Sequence, residues 1–210
     1  MEINGKFPSL VEMEALIKGR RSTRKYKDEN VDKKIIERLA NIAIHAPTGH
    51  NNMQVLFSLI DDKVQMKKFR LMILDYLFEL SKQGKLDDSK YNFYRKIAKV
   101  WKDKGKDIIF REAPHMLIAS APKEGISQEA DCIIALASFE LLAAVMGVGT
   151  LWCGMAKRLI NELIPNFRVA LGIPDNHVIS YVMLFGIPDV KYYRTVQREP
   201  VNVRRITNNC

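Results

Sequence analysis

The stretch covering residues 133–153 constrains the fold more than any other part of the chain. Its only clearly polar residues are Ser138, Glu140 and Thr150, and its length reaches the ~20 apolar residues that a bilayer span needs. The central Glu140, two glycines near the end and the absence of a closing Lys or Arg disfavour membrane insertion. A helix that is apolar on all sides is typical of a large or dimeric core. We therefore predict a buried helix that is capped by Ser127 and ends near Met146.

The segments around this helix show both helical and extended patterns. Ser9-x-x-Glu12 forms a capping box for a helix through Ile17, and Asp32 predicts the start of a second helix ending near Ala46. Further helices are predicted over 64–80, 91–101 and 159–171, the last interrupted at Pro165, and strands over 55–60, 116–121 and 178–185. Helices separated by a few strands indicate one α+β domain, spanning residues 1–210.

The composition excludes several classes of protein and favours an anionic partner. Apolar residues make up 47% and charged residues 27% of the chain, an ordinary globular mixture that excludes disorder and collagen-like repeats. The chain carries 33 Lys and Arg against 24 Asp and Glu, a net charge of +9. This balance suits nucleic acid, a membrane surface or a phosphorylated ligand, and it equally suits a solvated basic face.

Cysteine usage predicts a reducing compartment. Cys132, Cys153 and Cys210 form no CxxC pair or Cys/His cluster, so we expect neither a disulfide framework nor a metal site. A cytoplasmic location follows as an expectation. No apolar segment follows the charged residues Glu2 and Lys6, so we expect no secretory leader. Cys153 borders the apolar helix, which favours a small buried hydrophobe over the alternative of a reactive thiol.

Several familiar site patterns are absent from the sequence. The Gly147-x-Gly149 pair is not a dinucleotide fingerprint, because Trp152 occupies the position of the third glycine. Neither a Walker loop nor a G-x-S-x-G elbow is present. The four histidines are scattered, at positions 45, 50, 115 and 177. They support neither a catalytic triad nor a metal site.

Two polar segments are better candidates for a binding site. Arg20, Arg21, Ser22 and Arg24 follow the first helix, and arginine forks match the oxygens of a phosphate group. Alone, such a cluster is as often a solvated surface run. The loop over residues 47–54 supplies hydroxyl and amide groups suited to sugar hydroxyls and ring heteroatoms, although alone it is only a turn.

Seven short motifs follow one another along residues 10–205. In order they are RRSTR at 20–24, APTGHN at 46–51, REAP at 111–114, GVGTLWCG at 147–154, LGIP at 171–174, FGIP at 185–188 and REP at 198–200. Each motif is weak by itself, but the ordered set resembles the nitroreductase superfamily of FMN-dependent oxidoreductases. The resemblance implies a mostly antiparallel central sheet wrapped by helices, in an intertwined homodimer with FMN at the subunit interface.

The resemblance also assigns roles to matched residues. It implies that Arg20 and Arg198 hold the FMN phosphate, that Ser22 also contacts FMN, and that Arg24 reaches the pyrimidine edge of the flavin. Thr48 and Asn51 would contact FMN from the second subunit, and the 151–154 backbone would pass the flavin face and donate to N5. The full predicted cofactor set is Arg20, Arg21, Ser22, Arg24, Pro47, Thr48, Gly49, Asn51, Gln54, Leu151, Trp152, Cys153, Gly154 and Arg198.

The chain departs from the family pattern at one place in this set. The family loop usually reads Asn-x-Gln-Pro, whereas Asn51 is followed here by Asn52, Met53 and Gln54. Either Gln54 takes the role of the usual glutamine after a shift of one residue, or Met53 replaces it.

Residues 84–106 form a variable helical insertion that we expect to cover the pocket, with a packed surface helix as the alternative. Residues 189–210 would extend onto the partner subunit.

The implied activity is transfer of a hydride from NAD(P)H, through flavin N5, to an electron-poor acceptor such as a nitroaromatic or a quinone. The flavin carries the chemistry in a ping-pong cycle, so no catalytic side chain is expected. Two alternatives remain at this point. The same fold supports dehalogenation or ene reduction, and the basic charge alone would fit a cofactor-free nucleic-acid-binding protein. If the chain is an FMN-dependent oxidoreductase, we expect its partner to be a small-molecule acceptor, and we expect no nucleic-acid or membrane partner.

Overall fold

A computed structural model describes residues 7–206 of the chain; Cys210 and the first six residues lie outside this range. The helices are α1 (Leu10–Gly19), α2 (Lys33–Ala43), α3 (Lys63–Lys82), α4 (Asn92–Lys104), α5 (Gln128–Val145) and α6 (Gly154–Arg158). The strands are β1 (Leu56–Ile60), β2 (His115–Pro122), β3 (Gly149–Trp152) and β4 (His177–Gly186). The capping box at Ser9 and Glu12 and the Asp32 cap are both formed, as predicted.

The four strands form one antiparallel sheet in the order β1-β2-β4-β3. Successive side chains of a strand point to opposite faces, and this alternation divides β2 between two apolar clusters. Met116 and Ile118 face a cluster built with α3, α4 and α6. Leu117 and Ala119 face a second cluster built with α2 and α5. The sheet is therefore covered by helices on both faces, which confirms the predicted α+β architecture.

The predicted central helix is α5, and it packs on the sheet. Cys132, Leu136 and Phe139 are buried on its inner side. Within residues 7–206, no helix is long and apolar enough to cross a membrane. Ser127 occupies the N-cap position but its side chain makes no capping hydrogen bond, so that part of the prediction is wrong. Glu129 and Asp131 lie in the first turn instead, where a negative charge favours the helix dipole.

Two regions differ from the predicted elements. Strand β3 was not predicted, because its four residues include a glycine and lie inside a segment identified only as a motif. The helix predicted over 159–171 is interrupted at Pro165 as expected, but its bounds and type differ: α6 begins earlier and continues as a π-turn (Leu159–Leu163), followed by a 3-10 turn (Pro165–Phe167). Pro165 causes the break, because a proline has no N–H for the helical ladder.

Candidate functional site

The basic segment over residues 20–24 runs beside the edge strand β3. Ser22 forms a parallel bridge with Thr150, and the Thr23 amide donates to the Thr150 carbonyl oxygen over 2.8 Å. Thr23 is buried. The close contact requires a glycine at position 149, since a Cβ there would lie 2.4 Å from the Thr23 hydroxyl oxygen. The structure thus fixes this segment against the sheet.

Arg20 is held by a buried carboxylate that the sequence did not identify as part of the site. Its Nη1 donates to Oε1 of Glu140 over 3.0 Å, and the Thr150 hydroxyl donates to the same oxygen over 3.2 Å. The Glu140 side chain is only 9% exposed, whereas that of Arg20 is 25% exposed. The pair therefore orients the guanidinium from its buried side and leaves part of it accessible.

Arg21 contacts the C-terminal tail, defined here as residues 189–206. Its Nη1 donates to the Arg194 carbonyl oxygen over 2.9 Å, and its guanidinium lies 4.6 Å from the centre of the Tyr192 ring. Tyr192 also donates its hydroxyl to the Ser22 carbonyl oxygen over 3.4 Å. The tail, the end of α1 and the end of α5 enclose a cleft of about 320 Å³ that both Arg20 and Arg21 line.

The turn from β3 into α6 is partly buried. Leu151 and Cys153 point inward, and Trp152 packs edge-on against Tyr181 with ring centres 5.2 Å apart. Gly154 opens α6. A Cβ at Gly154 would approach the Tyr181 hydroxyl oxygen to 3.1 Å, so the turn passes close to this ring.

Cys153 lacks the environment of a reactive thiol. Its sulfur contacts the Ile109 carbonyl oxygen at 3.3 Å, and burial raises the pKa of the thiol to about 11. A thiol of this kind stays protonated at neutral pH and is a poor nucleophile. The structure therefore supports the prediction of a small buried hydrophobe.

The loop over residues 47–54 is a compact turn with unusual backbone angles. His50, Asn51 and Met53 have φ values of 52°, 53° and 49°, in the left-handed region that non-glycine residues rarely adopt. The Thr48 hydroxyl accepts from the Met53 amide over 3.1 Å. Met53 and Gln54 are both exposed, so which of them takes the glutamine role stays open.

Asp131 anchors this loop to α5, a contact that the sequence analysis missed. Its Oδ1 accepts from the Gly49 amide over 2.9 Å, and Asp131 is buried. A Cβ at Gly49 would lie 2.6 Å from the Ser127 hydroxyl oxygen, so the loop needs a glycine there. Asp131 lies nine residues before Glu140, which is roughly 13 Å along a helix. The loop and Arg20 thus contact separate parts of α5.

The structure brings together only part of the predicted set. The 20–24 segment and β3 are adjacent, whereas the 47–54 loop is anchored elsewhere on α5. Arg198 lies in the exposed tail and, within the described part of the chain, has no hydrogen bond or ion pair. Residues 7–206 contain no cluster of metal-ligating side chains.

The chain is similar to known proteins over most of its length. The model of the nitroreductase family matches residues 17–187. A protein from Archaeoglobus fulgidus, named as a candidate NADH dehydrogenase/NAD(P)H nitroreductase, is 25% identical over 173 residues, which are 82% of this chain and 83% of that protein.

Two solved structures share the fold. A nitroreductase with bound FMN from Bacteroides fragilis is 18% identical with a TM-score of 0.72, and the match covers 92% of this chain and 99% of that one. An iodotyrosine deiodinase bound to FMN and 3-iodo-L-tyrosine is 17% identical with a TM-score of 0.66, over 93% of this chain and 99% of that one. At these identities the likeness is one of fold.

Proposed function

The chain belongs to the nitroreductase family, and from that membership we propose that it is an FMN-dependent NAD(P)H oxidoreductase that reduces an electron-poor small molecule. When bound, FMN supplies the hydride chemistry, and the protein supplies position and charge. One observation carries the proposal: the Arg20 guanidinium is pre-positioned by Glu140 and Thr150 at the rim of a cleft beside β3.

The phosphate end of FMN would bind at this rim. Arginine has five N–H donors, and Glu140 receives only one hydrogen bond from Arg20, so donors remain for a phosphate oxygen. Ser22 adds a hydroxyl and Arg21 a second cation on the same segment. Arg198 would join them from the tail, and because Arg198 is exposed it can come from either subunit of a dimer.

The ring end would lie along β3 and the start of α6. The backbone over residues 151–154 would pass the ring, with the Gly154 region offering an amide to the ring edge. Arg24 is exposed on the neighbouring segment and would place a positive charge near the pyrimidine edge, where it favours an anionic reduced ring. The protonated Cys153 thiol would take no part.

Three exposed apolar surfaces support a homodimer. Leu10, Val11 and Ile17 on α1 are exposed, and no residue of α1 is buried. Ile134 and Val145 on α5 are exposed, and the tail exposes apolar side chains as well, namely Val201, Val203 and Ile206. Apolar patches of this extent usually mark interfaces. A second copy would cover them and would bring its own 47–54 loop, with Thr48 and Asn51, to the cofactor.

The helical insertion over 84–106 would border the same site, within what we propose is one domain. Tyr94 is buried, and its hydroxyl donates to the Met155 carbonyl oxygen over 2.8 Å. The aromatic side of α4 is therefore part of the core. If the insertion covers the pocket, it does so through exposed residues next to this side. We propose that the insertion shapes the acceptor pocket from the α6 side.

The direct test is to purify the full-length protein and identify any bound cofactor. We expect a yellow protein that releases one FMN per subunit, shows a dimer in sedimentation equilibrium, and is bleached anaerobically by NADH or NADPH. Mass analysis that finds FAD, or no flavin after reconstitution with FMN, would refute the proposal. A monomer at micromolar concentration that still holds FMN would refute the shared site.

A second reaction on the same cofactor is reductive dehalogenation, which the fold shared with the deiodinase favours. Ene reduction remains the other alternative. Reduced protein supplied in turn with a nitroaromatic, a quinone, a halogenated tyrosine and an enone separates these reactions. Rapid flavin reoxidation with halide release only from the halogenated substrate would replace nitro or quinone reduction as the proposed activity.

A further inference from the structure

The excess positive charge of the chain is concentrated in one structural unit. We define the basic hairpin as residues 63–106, which contain α3, α4 and their connection. It holds 13 of the 33 Lys and Arg but only five of the 24 Asp and Glu, a balance of +8. The rest of the chain contributes +1 to the net charge of +9. The proposed cofactor site, whose predicted residues all lie outside the hairpin, does not account for this charge.

The charges lie on the outer side of the hairpin. Helix α4 buries Tyr94, Ile97 and Ala98 against the core. Its opposite side lines an open groove of about 400 Å³ with α3; the basic residues of this groove are Arg95, Lys96, Lys99 and Lys102. Phe78 also lines the groove, and the ammonium groups of Lys82 and Lys102 lie 5.8 and 5.3 Å from the centre of its ring.

Ion pairs engage five of the 13 basic residues of the hairpin, and two of these pairs join it to the rest of the chain, Lys63 to Asp28 over 3.4 Å and Arg70 to Asp107 over 2.9 Å. Exposed ion pairs join Lys82 to Glu79, Lys90 to Asp88 and Arg95 to Asp87 over 3.1, 3.7 and 3.3 Å. Among the residues that the structure describes, eight lysines of the hairpin form no ion pair, namely Lys67, Lys68, Lys85, Lys96, Lys99, Lys102, Lys104 and Lys106. A cluster of unpaired cations raises a positive potential that attracts an anionic partner.

The hairpin is joined directly to the proposed ring end of the cofactor site. The Tyr94 hydroxyl donates to the carbonyl oxygen of Met155, the residue after Gly154. Arg158, at the end of α6, donates from Nη2 to the Lys90 carbonyl oxygen over 3.2 Å. A partner seated in the groove would lie on the opposite side of α4 from the segment that we assign to the flavin ring, roughly 10 Å away across one helix.

We propose that the basic hairpin docks a small acidic electron-carrier protein, which delivers electrons to the flavin as an alternative to NAD(P)H. This inference rests on the proposed function. Two reduced one-electron carriers would each give up one electron and leave oxidised, and the flavin would gain two electrons with one proton from water. Electron-transfer encounters of this kind use small, charge-steered interfaces, which a solvated lysine surface fits.

The composition of the hairpin favours an acidic protein over nucleic acid or a membrane. Eleven of its 13 basic residues are lysine, and lysine lacks the planar fork with which arginine grips phosphate. The apolar side of α4 is committed to the core, so the helix has no continuous apolar face for insertion into a bilayer.

The test uses the full-length FMN-loaded protein and, as probe, a purified acidic [2Fe–2S] ferredoxin. Binding is measured by calorimetry, and flavin reduction by the dithionite-reduced probe is measured in stopped flow. At low salt we expect the triple variant Lys96→Glu, Lys99→Glu, Lys102→Glu to lose about tenfold or more in both affinity and association rate. The wild-type association rate should fall by a similar factor at about 0.2 M salt, because salt ions screen the long-range attraction between the two proteins.

The matched control reverses three exposed cations of α2, namely Lys33→Glu, Lys34→Glu and Arg38→Glu. It has the same net charge and should stay within about twofold of wild type, since steering depends on where the charge lies. Equal losses in both variants would overturn the docking surface, as would tight binding of a DNA duplex or of phosphatidylserine vesicles without binding of the probe. NAD(P)H bleaching, run on the same samples, separates the two proposals: if bleaching persists without probe binding, only the docking proposal fails.

Discussion

The 20–24 segment and the C-terminal tail would each bring an arginine to the same phosphate, but only the 20–24 segment is held against the sheet by buried contacts. Thr23 is buried and bonded to β3, and Arg20 is paired with a buried carboxylate. The tail is exposed throughout residues 189–206, including Arg198. Its described contacts with the rest of the chain beyond Val190 run through Tyr192 and Arg194.

The difference separates a donor that is already ordered from one that must be ordered later. A pre-positioned group loses little conformational entropy when its ligand binds, whereas a mobile side chain on an exposed segment pays about 0.5–1.5 kcal/mol. The cost at Arg198 falls when the tail packs against a second subunit. Arg20 should therefore matter to folding and binding alike, and Arg198 to binding only.

Replacing the two arginines one at a time should give the largest contrast. Arg20→Ala leaves Glu140 buried without its cation, and breaking a buried pair in this way costs about 3–5 kcal/mol. Urea unfolding of the FMN-free protein should show a loss near the lower value, because Arg20 is partly exposed. Arg198→Ala should change the same free energy by less than about 0.5 kcal/mol, as is usual for an exposed site.

Both variants should weaken FMN binding by roughly 1.5–3 kcal/mol, the range for a hydrogen bond to a charged group. Glu140→Gln is the control, because it keeps the shape and an acceptor for Arg20 while removing the charge. It should retain more of the unfolding free energy than Arg20→Ala. Equal unfolding free energies for Arg20→Ala and Arg198→Ala would show that Arg20 contributes no more to the stability of the folded chain than Arg198 in the tail.

Acid should destabilise the folded body through His115, a residue of β2. This side chain is buried, its Nε2 accepts from the Val31 amide over 2.9 Å, and it stacks on Phe185. Burial lowers the pKa of His115 to about 4, against a smaller opposite effect of Asp61 and Asp62. The unfolded chain, with an ordinary histidine pKa near 6.5, binds the proton more readily.

Stability should therefore be complete above about pH 6.5 and fall as the pH decreases toward 4. The depressed pKa corresponds to a loss of about 3 kcal/mol across that window, at 1.36 kcal/mol per pKa unit. Urea unfolding at a series of pH values measures it. His115→Gln keeps an acceptor for Val31 but does not titrate, so its curve should be flatter than that of wild type. Parallel curves would remove His115 as the cause.

Local signals in the sequence predicted most of the fold. The capping box at Ser9 and the cap at Asp32 depend on residues three positions apart or fewer, so they are visible without the structure. The apolar content of α5 likewise predicted a buried helix. Strand β3 was missed because it is an edge strand of four residues, too short for a period-2 pattern to be distinguished from a loop.

The site was predicted less completely, because its supporting contacts join distant residues. Arg20 and Glu140 are 120 positions apart, and Gly49 and Asp131 are 82 apart. Nothing in either local pattern specifies its partner. A usable signal was nevertheless present: Glu140 is the only charge between residues 133 and 153, and a buried charge needs a partner.

The smallest expected effect concerns the link between the two regions. The Arg21 guanidinium lies 4.6 Å from the centre of the Tyr192 ring, and an exposed contact of this type contributes about 0.5–1 kcal/mol. Tyr192→Ala should lower the melting temperature of the FMN-free protein by about 1–4 °C in calorimetry, since 1 kcal/mol shifts a chain of this size by about 2–4 °C. Tyr192→Phe keeps the ring and gives up only the long hydrogen bond to Ser22, so it should melt close to wild type. If Tyr192→Ala instead destabilises the protein as much as Arg20→Ala, the tail is an integral part of the folded chain. Arg20 and Arg198 would then both be ordered before FMN binds, and the contrast between them would not hold.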